Sequence, residues 1–412
     1  MQNKIEKIIG EEIKDSRGNP TIKVTVFCGE KSGSFSVPSG ASTGTHEAHE
    51  LRDEDGKGVN KAISNVNNII APALVGKNVL NQNEIDKILI KLDGTKNKDN
   101  LGGNAMIGVS IACAKVAAKI SNMETFEYLR TLRLGSGQAL AKIKPSRQTP
   151  YLFMNLLEGG KHADNGLAFQ EHLVVPMIDN SEEAVSMGVK IQNTLKEMLE
   201  GETGEYPALG HEGGFMPKVT DPRAPFLLLQ EAVRKNDLGN SVRFSIDAAA
   251  SSFFEDSSYK VDGKKIAKHN LTDMYVSLVE EFKLFSIEDP FEQEDFESFA
   301  ELREKIPNTL VVGDDLTVSR ETLLRKAMGK KSINAMIIKP NQAGTLTETL
   351  ETMKLARGNG IELIVSNRGE ETDDDFIADL AYAFGCFGLK AGAPTKLERM
   401  VKYNRLIKIT NS

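Results

Sequence analysis

The stretch VRFSID (242–247) is a short apolar run that ends in an acidic residue, and it begins a series of similar runs. Five more follow, each reaching a polar side chain and then an amphipathic helical pattern: LFSIED (284–289), LVVGDD (310–315), NAMIIK (334–339), ELIVSN (362–367) and FGLK (387–390). From Glu288 on, the polar ends recur about every 25 residues, the length of one strand–helix unit. We predict a (β/α)8 barrel, whose active site lies at the carboxyl ends of the strands. A doubly wound sheet competes, but it would place few ligands on six successive strands.

The first 130 or so residues have a different pattern and predict a small α+β domain. The runs TIKVTVFC (21–28) and GSFSVPS (33–39) predict a hairpin, and helical patterns cover 59–74, 83–92 and 104–120. RLGSGQALAKIKPSRQ (133–148) breaks the periodicity, as a linker would. The predicted divisions are an N-terminal domain over 1–135, a linker over 136–148 and the barrel over 149–412.

Composition excludes several classes of function. The 412 residues carry 51 basic and 58 acidic side chains, a net charge of −7, with no dense basic stripe. This argues against nucleic-acid and anionic-membrane partners. The three cysteines form no CxxC pair, the N-terminus does not resemble a signal peptide, and no 18 apolar residues run together. We therefore expect a cytoplasmic enzyme without a membrane segment.

Three carboxylates at successive strand ends predict a metal site. Asp247, Glu288 and Asp314 would offer hard oxygen ligands at one barrel mouth, which suits Mg²⁺. Each alone could instead cap the following helix. Their equivalent positions favour the metal.

Lys339 and Lys390 end two later strands of the same barrel. A lysine beside a divalent cation and a second ammonium should have a lowered pKa, which suits a general base. Either lysine could instead neutralise the carboxylates or bind an anionic substrate.

Glycine-flanked acids and one small-residue loop are weaker signals. HEGGF (211–215) presents Glu212, and NGLAFQEH (165–172) presents Glu171. Glycines there would allow a ligand to approach the backbone closely, although such pairs also mark ordinary turns. PSGASTG (38–44) could be a mobile lid or simply an exposed linker.

Long motifs along nearly the whole chain resemble the enolase family, in the same order. They are DSRGNPT (15–21), PSGASTGTHEAHELRD (38–53), LDGTKNKDNLGGNAMIGVSIA (92–112), EGGKHADN (158–165), QEH (170–172), HEGGF (211–215), SIEDP (286–290), VGDDLTVS (312–319), IKPNQAGTLTETL (338–350), ETDDDFIADL (371–380) and LKAGAPTKLERMVKYNRL (389–406). The resemblance implies an N-terminal α+β lid domain on a modified (β/α)8 barrel. It also implies reversible dehydration of 2-phosphoglycerate to phosphoenolpyruvate with two Mg²⁺ ions, the second arriving with substrate, in a homodimer or an assembly of dimers.

The resemblance also implies roles for individual residues. Asp247, Glu288 and Asp314 match the ligands of the first Mg²⁺, and Ser42 matches the lid residue that closes on the second. Lys339 matches the base. Glu212, helped by Glu171, matches the acid that protonates the departing hydroxyl. Substrate contacts are implied for Lys390 on the carboxylate, Arg368 on the phosphate, and His162, with Asn367 at the position of a substrate-facing histidine. The predicted substrate site also includes Glu171, Gly369 and His211.

Several positions depart from the family pattern. Asn367 replaces that histidine, Gly369 lacks a hydroxyl expected near the phosphate, and Glu370 adds a carboxylate. His211 stands beside the acid where aspartate is usual, and Ser252 replaces a glutamate. Two hypotheses follow: a divergent enolase in which His211 compensates, or a related enzyme of phosphonate or phosphinate chemistry, such as a carboxyphosphonoenolpyruvate synthase. A non-catalytic binding protein is a third, and the retained lysines and carboxylates argue against it.

Overall fold

The computed structural model describes residues 3–40, 44–132 and 145–412. Ser42, the predicted lid residue, lies outside the described residues, as do positions 136–144 of the predicted linker.

The N-terminal part is an antiparallel sheet of three strands covered by helices. Its strand order is β1 (Lys7–Lys14), β2 (Pro20–Cys28) and β3 (Lys31–Ser36), so the predicted hairpin is confirmed and β1 is an addition. Side chains alternate between the two faces of a strand, so β2 buries one set under a helix and leaves the alternate set half-exposed. The helices are α1 (Asn60–Asn65), which continues through a π segment (Val66–Ile70) into α2 (Ala71–Leu74), then α3 (Gln82–Asp93), α4 (Gly103–Ile120) and α5 (Thr125–Thr131).

Helix α4 forms the centre of this part. By length and composition it could cross a membrane, but 83% of it is buried inside the protein. It packs closely on β3, because a Cβ at Gly33 would lie 2.3 Å from the backbone nitrogen of Val116. A core helix passes the same apolarity test, so this is weak evidence for a membrane span.

The second part is a closed eight-stranded barrel, which confirms the predicted fold class. Neighbouring strands are parallel except that β5 runs antiparallel to both of its neighbours, β4 and β6, in what is therefore a modified barrel. The strands around the barrel are β10 (Ser286–Glu288), β11 (Leu310–Gly313), β12 (Ala335–Ile338), β13 (Glu362–Ser366), β14 (Gly388–Lys390), β4 (Tyr151–Glu158), β5 (Glu171–Pro176) and β6 (Val242–Asp247).

Helices and one small sheet surround the barrel. The sheet, β7 (Phe254–Glu255), β8 (Ser258–Val261) and β9 (Lys264–Ile266), lies in the long step after β6. The helices are α6 (Ser181–Thr203), α7 (Ala224–Lys235), α8 (Lys268–Phe282), α9 (Phe296–Lys305), α10 (Glu321–Lys330), α11 (Pro340–Ala343), α12 (Leu346–Gly358), α13 (Phe376–Ala383) and α14 (Leu397–Thr410).

The barrel brings the predicted polar groups to one end. Its interior is filled by apolar side chains such as Phe153, Val312 and Ile337, so it is a packed core without a channel. Parallel strands share one carboxyl edge, and there Asp247 ends β6, Glu288 ends β10 and Lys390 ends β14. Asp314, Lys339 and Asn367 directly follow β11, β12 and β13.

Candidate active site

A small cavity of about 30 Å³ lies at this carboxyl edge. Two predicted residues do not line this cavity: Glu288 accepts a hydrogen bond from Lys390, which does, and His211 directly precedes Glu212, which also does. Its walls contain most of the predicted site residues, namely His162, Glu171, Glu212, Asp247, Asp314, Lys339, Asn367, Arg368, Gly369 and Lys390.

Lys390 is the centre of a buried charge cluster on the barrel axis. Its ammonium Nζ donates to Asp247 Oδ2 and Glu288 Oε2, both at 2.9 Å, and lies 3.0 Å from Glu171 Oε2. All four side chains are at least nine-tenths buried. Three carboxylates around one ammonium leave an excess of negative charge in this part of the pocket.

Lys339 forms an ion pair with Asp314, whose other carboxylate oxygen accepts from Gln342 Nε2 at 3.0 Å. Burial is the largest influence and lowers the pKa of Lys339, but the surrounding carboxylates, Asp314 foremost, together outweigh it and raise the pKa. The predicted lowering assumed a divalent cation beside Lys339, and it stays a prediction. The nearest neighbour of Lys339 is a carboxylate, and the second ammonium is a weaker influence.

The acidic residues of this edge could hold a divalent cation. Burial, followed by the charge of Asp247, raises the pKa of Glu288, as expected where buried carboxylates outnumber cations. The donors are all oxygens, which suits a hard cation such as Mg²⁺.

The most compact acidic trio differs from the predicted one. Among the described residues, Asp289, Asp314 and Asp315 offer oxygens within 4.8 Å of one another. Asp247, Glu288 and Asp314 do not form such a trio there, and lysines pair with them instead.

Glu212 lines another part of the same cavity, on a loop whose backbone requires glycine at two positions. Gly213 has φ of 91°, in the left-handed region, and a Cβ at Gly214 would lie 2.9 Å from the backbone of Leu156. Glu212 Oε1 accepts from Asn367 Nδ2 at 2.6 Å and lies 3.8 Å from Arg399 Nη1. Burial opposes ionisation, but Arg399 and other neighbours hold the pKa of Glu212 at about 2.

Two imidazoles stand beside Glu212. The ring of His162 is 5.5 Å from that of His211, centroid to centroid. Within the part of the chain that the structure describes, the Nδ1 atoms of both rings are buried without a hydrogen-bond partner. Burial lowers the pKa of His162 to about 4, so this imidazole is neutral at neutral pH. Neutral rings with open nitrogen atoms can bind a polar ligand.

Arg368 lies where the barrel meets the N-terminal part. Its guanidinium donates to Glu47 Oε2 at 2.8 Å and Oε1 at 3.2 Å, and to Asn341 Oδ1 at 3.0 Å. A guanidinium that binds a carboxylate in this bidentate geometry can also bind a phosphate. Arg399 fixes the local backbone by donating to the carbonyl oxygens of Arg368 and Gly369 at 2.7 and 2.8 Å.

Glu370, an acid expected to disturb phosphate binding, is directed elsewhere. Its Oε1 accepts from Arg17 Nη1 at 3.1 Å and from Asn19 Nδ2 at 3.3 Å, and its backbone pairs with Ser39. It therefore joins the barrel to the N-terminal part.

Two residues that contact the predicted site have no signal of their own in the sequence. Glu47, the partner of Arg368, lies inside the long motif 38–53. Glu158 ends β4 and accepts from the backbone nitrogen atoms of Glu212 and Gly214. A single acid at a strand end often only caps a helix or a turn. Only its contacts with the loop that carries Glu212 distinguish Glu158 from such a residue.

Fold and site together define a class: a (β/α)8-type barrel with buried lysines and acids around a small polar cavity at the carboxyl ends of its strands. Family models give the particular family. The model described as "Enolase, N-terminal domain" matches residues 5–129, and "Enolase, C-terminal TIM barrel domain" matches residues 147–412.

Curated relatives agree over nearly the whole chain. The chain is 44% identical to the enolase of Methanocaldococcus jannaschii, with 98% of this chain and 94% of the relative covered. It is 42% identical to the enolase of Methanothrix thermoacetophila (99% and 96% covered) and 41% identical to that of Corynebacterium kroppenstedtii (97% and 93% covered). The chain belongs to the enolase family, and the prediction of an enolase-type hydro-lyase is confirmed. Membership supports reversible dehydration of 2-phosphoglycerate to phosphoenolpyruvate, and it implies a divalent metal.

Proposed function

We propose that this pocket dehydrates 2-phosphoglycerate by dividing the reaction between its two walls. The observation that carries the proposal is that Lys339 and Glu212 line the same cavity, one paired with Asp314 and the other beside His162. Removal of a proton next to a carboxylate and loss of a hydroxyl from the next carbon need a base and an acid so arranged.

Lys339 is the proposed base. It follows β12 and is held by Asp314. A cation bound to the Asp314 carboxylate would remove the influence that raises the pKa of Lys339, leaving a free amine to take the proton from the carbon beside the substrate carboxylate. The carboxylate then carries two negative charges. Lys390, already among carboxylates, is the proposed ammonium that faces this developing charge.

Glu212 is the proposed acid, with Glu171 as its helper. In the substrate-free pocket Glu212 is ionised, since its pKa is about 2. A bound trianionic substrate adds negative charge, which raises the pKa of a nearby carboxyl and lets Glu212 take up a proton. It then gives that proton to the departing hydroxyl group.

The remaining predicted residues are proposed to hold the substrate. Arg368 binds the phosphate by exchanging the Glu47 carboxylate for it. His162, His211 and Asn367 contact the hydroxyl end, and Gly369 leaves room beside the phosphate.

Asp247, Glu288 and Asp314 are proposed to hold the first of two Mg²⁺ ions, with Ser42 toward the second. When bound, such ions stabilise the negative charge that builds up on the substrate carboxylate.

One observation bears on the alternative substrate class. The phosphonate hypothesis depended partly on Glu370 repelling a phosphate, and Glu370 is instead bound by Arg17 and Asn19. The remaining departures, Asn367, Gly369 and His211, fit an enolase with an altered hydroxyl end. We therefore propose 2-phosphoglycerate as the substrate.

Three wider proposals complete the description. We propose domains over 1–135 and 149–412 with a linker between them, a homodimer or assembly of dimers, and a cytoplasmic location. Sedimentation of the purified chain tests the second of these, and a monomer at micromolar concentration would contradict it.

Phosphoenolpyruvate formation with purified protein tests the function. With Mg²⁺ and 2-phosphoglycerate we expect kcat/KM above about 10⁴ M⁻¹s⁻¹, and none after chelation by EDTA. A phosphonate analogue of 2-phosphoglycerate serves as the competing substrate. Turnover of that analogue alone would contradict the proposal.

A further inference from the structure

Glu158 is a fully buried acid whose hydrogen bonds go to the backbone of the loop that carries Glu212. Its Oε1 accepts from the backbone nitrogen of Gly214 at 2.7 Å and from that of Glu212 at 3.1 Å. The loop packs directly against this carboxyl group. A Cβ at Gly210 would lie 2.4 Å from Glu158 Oε2, so no larger side chain fits there. Glu158 is 0% exposed.

The surroundings of Glu158 contain little positive charge. Burial, followed by the negative charge of Glu212, raises the pKa of Glu158 to about 8, so this carboxyl is neutral at neutral pH. His162 Nδ1, itself without a hydrogen-bond partner among the described residues, lies 3.8 Å from Glu158 Oε2. The titratable or charged groups that face Glu158 from the neighbouring elements are Glu212 and His211 on the loop, His162, Glu171 on β5 and Arg399 on α14.

We propose that Glu158 is a positioning residue for the hydroxyl-protonating step: its carboxyl holds the loop that carries Glu212 through the backbone N–H groups of Glu212 and Gly214. The inference rests on the proposed role of Glu212. It gives Glu158 two separable properties, an acceptor oxygen that shapes the loop and a proton that keeps the site neutral.

Two substitutions separate these properties. Glu158→Gln keeps an acceptor Oε1 for both N–H groups and stays neutral at every pH. Glu158→Leu removes the acceptor. We expect E158L to lower kcat for dehydration by about 10²-fold, with the KM for 2-phosphoglycerate little changed. We expect E158Q to stay within about threefold of wild type at pH 7, since a neutral acceptor remains.

The dependence of kcat on pH is the measurement that a purely structural role of Glu158 would not change. Wild-type kcat should fall as pH rises through about 8, when Glu158 ionises beside Glu212. The E158Q profile should lack that decline. Equal alkaline declines in both proteins, or an E158Q enzyme as slow as E158L, would overturn the proposal. If E158L does not fold, the E158Q profile decides alone.

A spectroscopic measurement keeps this inference separate from the proposed function. The infrared difference spectrum between wild type and E158Q at pH 6 should contain the carbonyl stretch of one protonated carboxyl group, and that band should disappear above pH 9. A wild type without dehydratase activity would refute the proposed function but leave the band in place. Absence of the band at pH 6 would refute the neutral Glu158 whatever the activity.

Discussion

The two walls of the pocket differ in how their charges are balanced. On the acidic wall, Lys390 and Lys339 are in ion pairs with Asp247, Glu288 and Asp314. The hydroxyl wall is the part of the pocket formed by Glu212, His162 and His211. There the nearest guanidinium to Glu212, that of Arg399, is 3.8 Å away, and the imidazole Nδ1 atoms have no hydrogen-bond partner among the described residues. The acidic wall is therefore held by strong direct pairs, while the other depends on neutral donors and on loop shape.

The largest expected effect is on stability, when the ammonium of Lys390 is removed from the acidic wall. Lys390→Met leaves three buried carboxylates without their ammonium, so the free energy of unfolding should fall by about 3–5 kcal/mol. Added Mg²⁺ should restore part of the loss, because a cation that binds only the folded state stabilises it. Urea unfolding with and without Mg²⁺ measures both effects.

Lys264→Met is the matched control, since the Lys264 side chain is 79% exposed. It should change stability by less than about 1 kcal/mol. A K390M protein as stable as this control would contradict the described charge cluster.

A second test uses pH on the hydroxyl wall. The pKa of Glu158 is raised from 4.5 to about 8, so its contribution to stability is complete below pH 4.5 and is lost as pH rises through 8. Glu158→Gln does not titrate. Between pH 5 and pH 8.5, wild type should lose about 2–4 kcal/mol relative to E158Q, measured by urea unfolding at each pH. Parallel curves would show that Glu158 is already ionised at pH 5.

The amino-acid sequence predicts the acidic wall better than the hydroxyl wall, and the reason is physical. Glu288, Lys339 and Lys390 lie at or directly after the ends of regularly spaced strands, so periodicity predicts that they meet. Glu158 and Glu47 act through contacts with loops that are distant in the chain, which no local pattern encodes. Spacing also does not reveal that Lys339 forms an ion pair with Asp314.

The third prediction concerns Arg368, which joins the two walls to the N-terminal part. Arg368→Lys keeps the charge but loses the two-pronged geometry, so KM for 2-phosphoglycerate should rise about 10-fold to 100-fold, or about 1.5–3 kcal/mol. Steady-state kinetics measure this. Arg234→Lys, at a side chain that is 70% exposed, should leave KM unchanged. An R368K enzyme with an unchanged KM would remove Arg368 from phosphate binding.

The smallest expected effect is at Glu370. Since its carboxylate binds Arg17 and Asn19, Glu370→Gln should change kcat and KM by less than about twofold, in line with a partly exposed ion pair. A large fall in KM would mean that Glu370 does repel the phosphate. That result would revive the hypothesis of a different substrate.

The division of labour between the two walls is tested most directly by following both half-reactions in one sample. Wild type, Lys339→Ala and Glu212→Gln are incubated with 2-phosphoglycerate and Mg²⁺ in deuterium oxide, and exchange of the proton beside the carboxylate and formation of phosphoenolpyruvate are measured together. We predict that wild type does both, K339A does neither, and E212Q exchanges the proton without forming product. Proton exchange by K339A at near the wild-type rate, or a folded E212Q that loses exchange as completely as dehydration, would contradict the account.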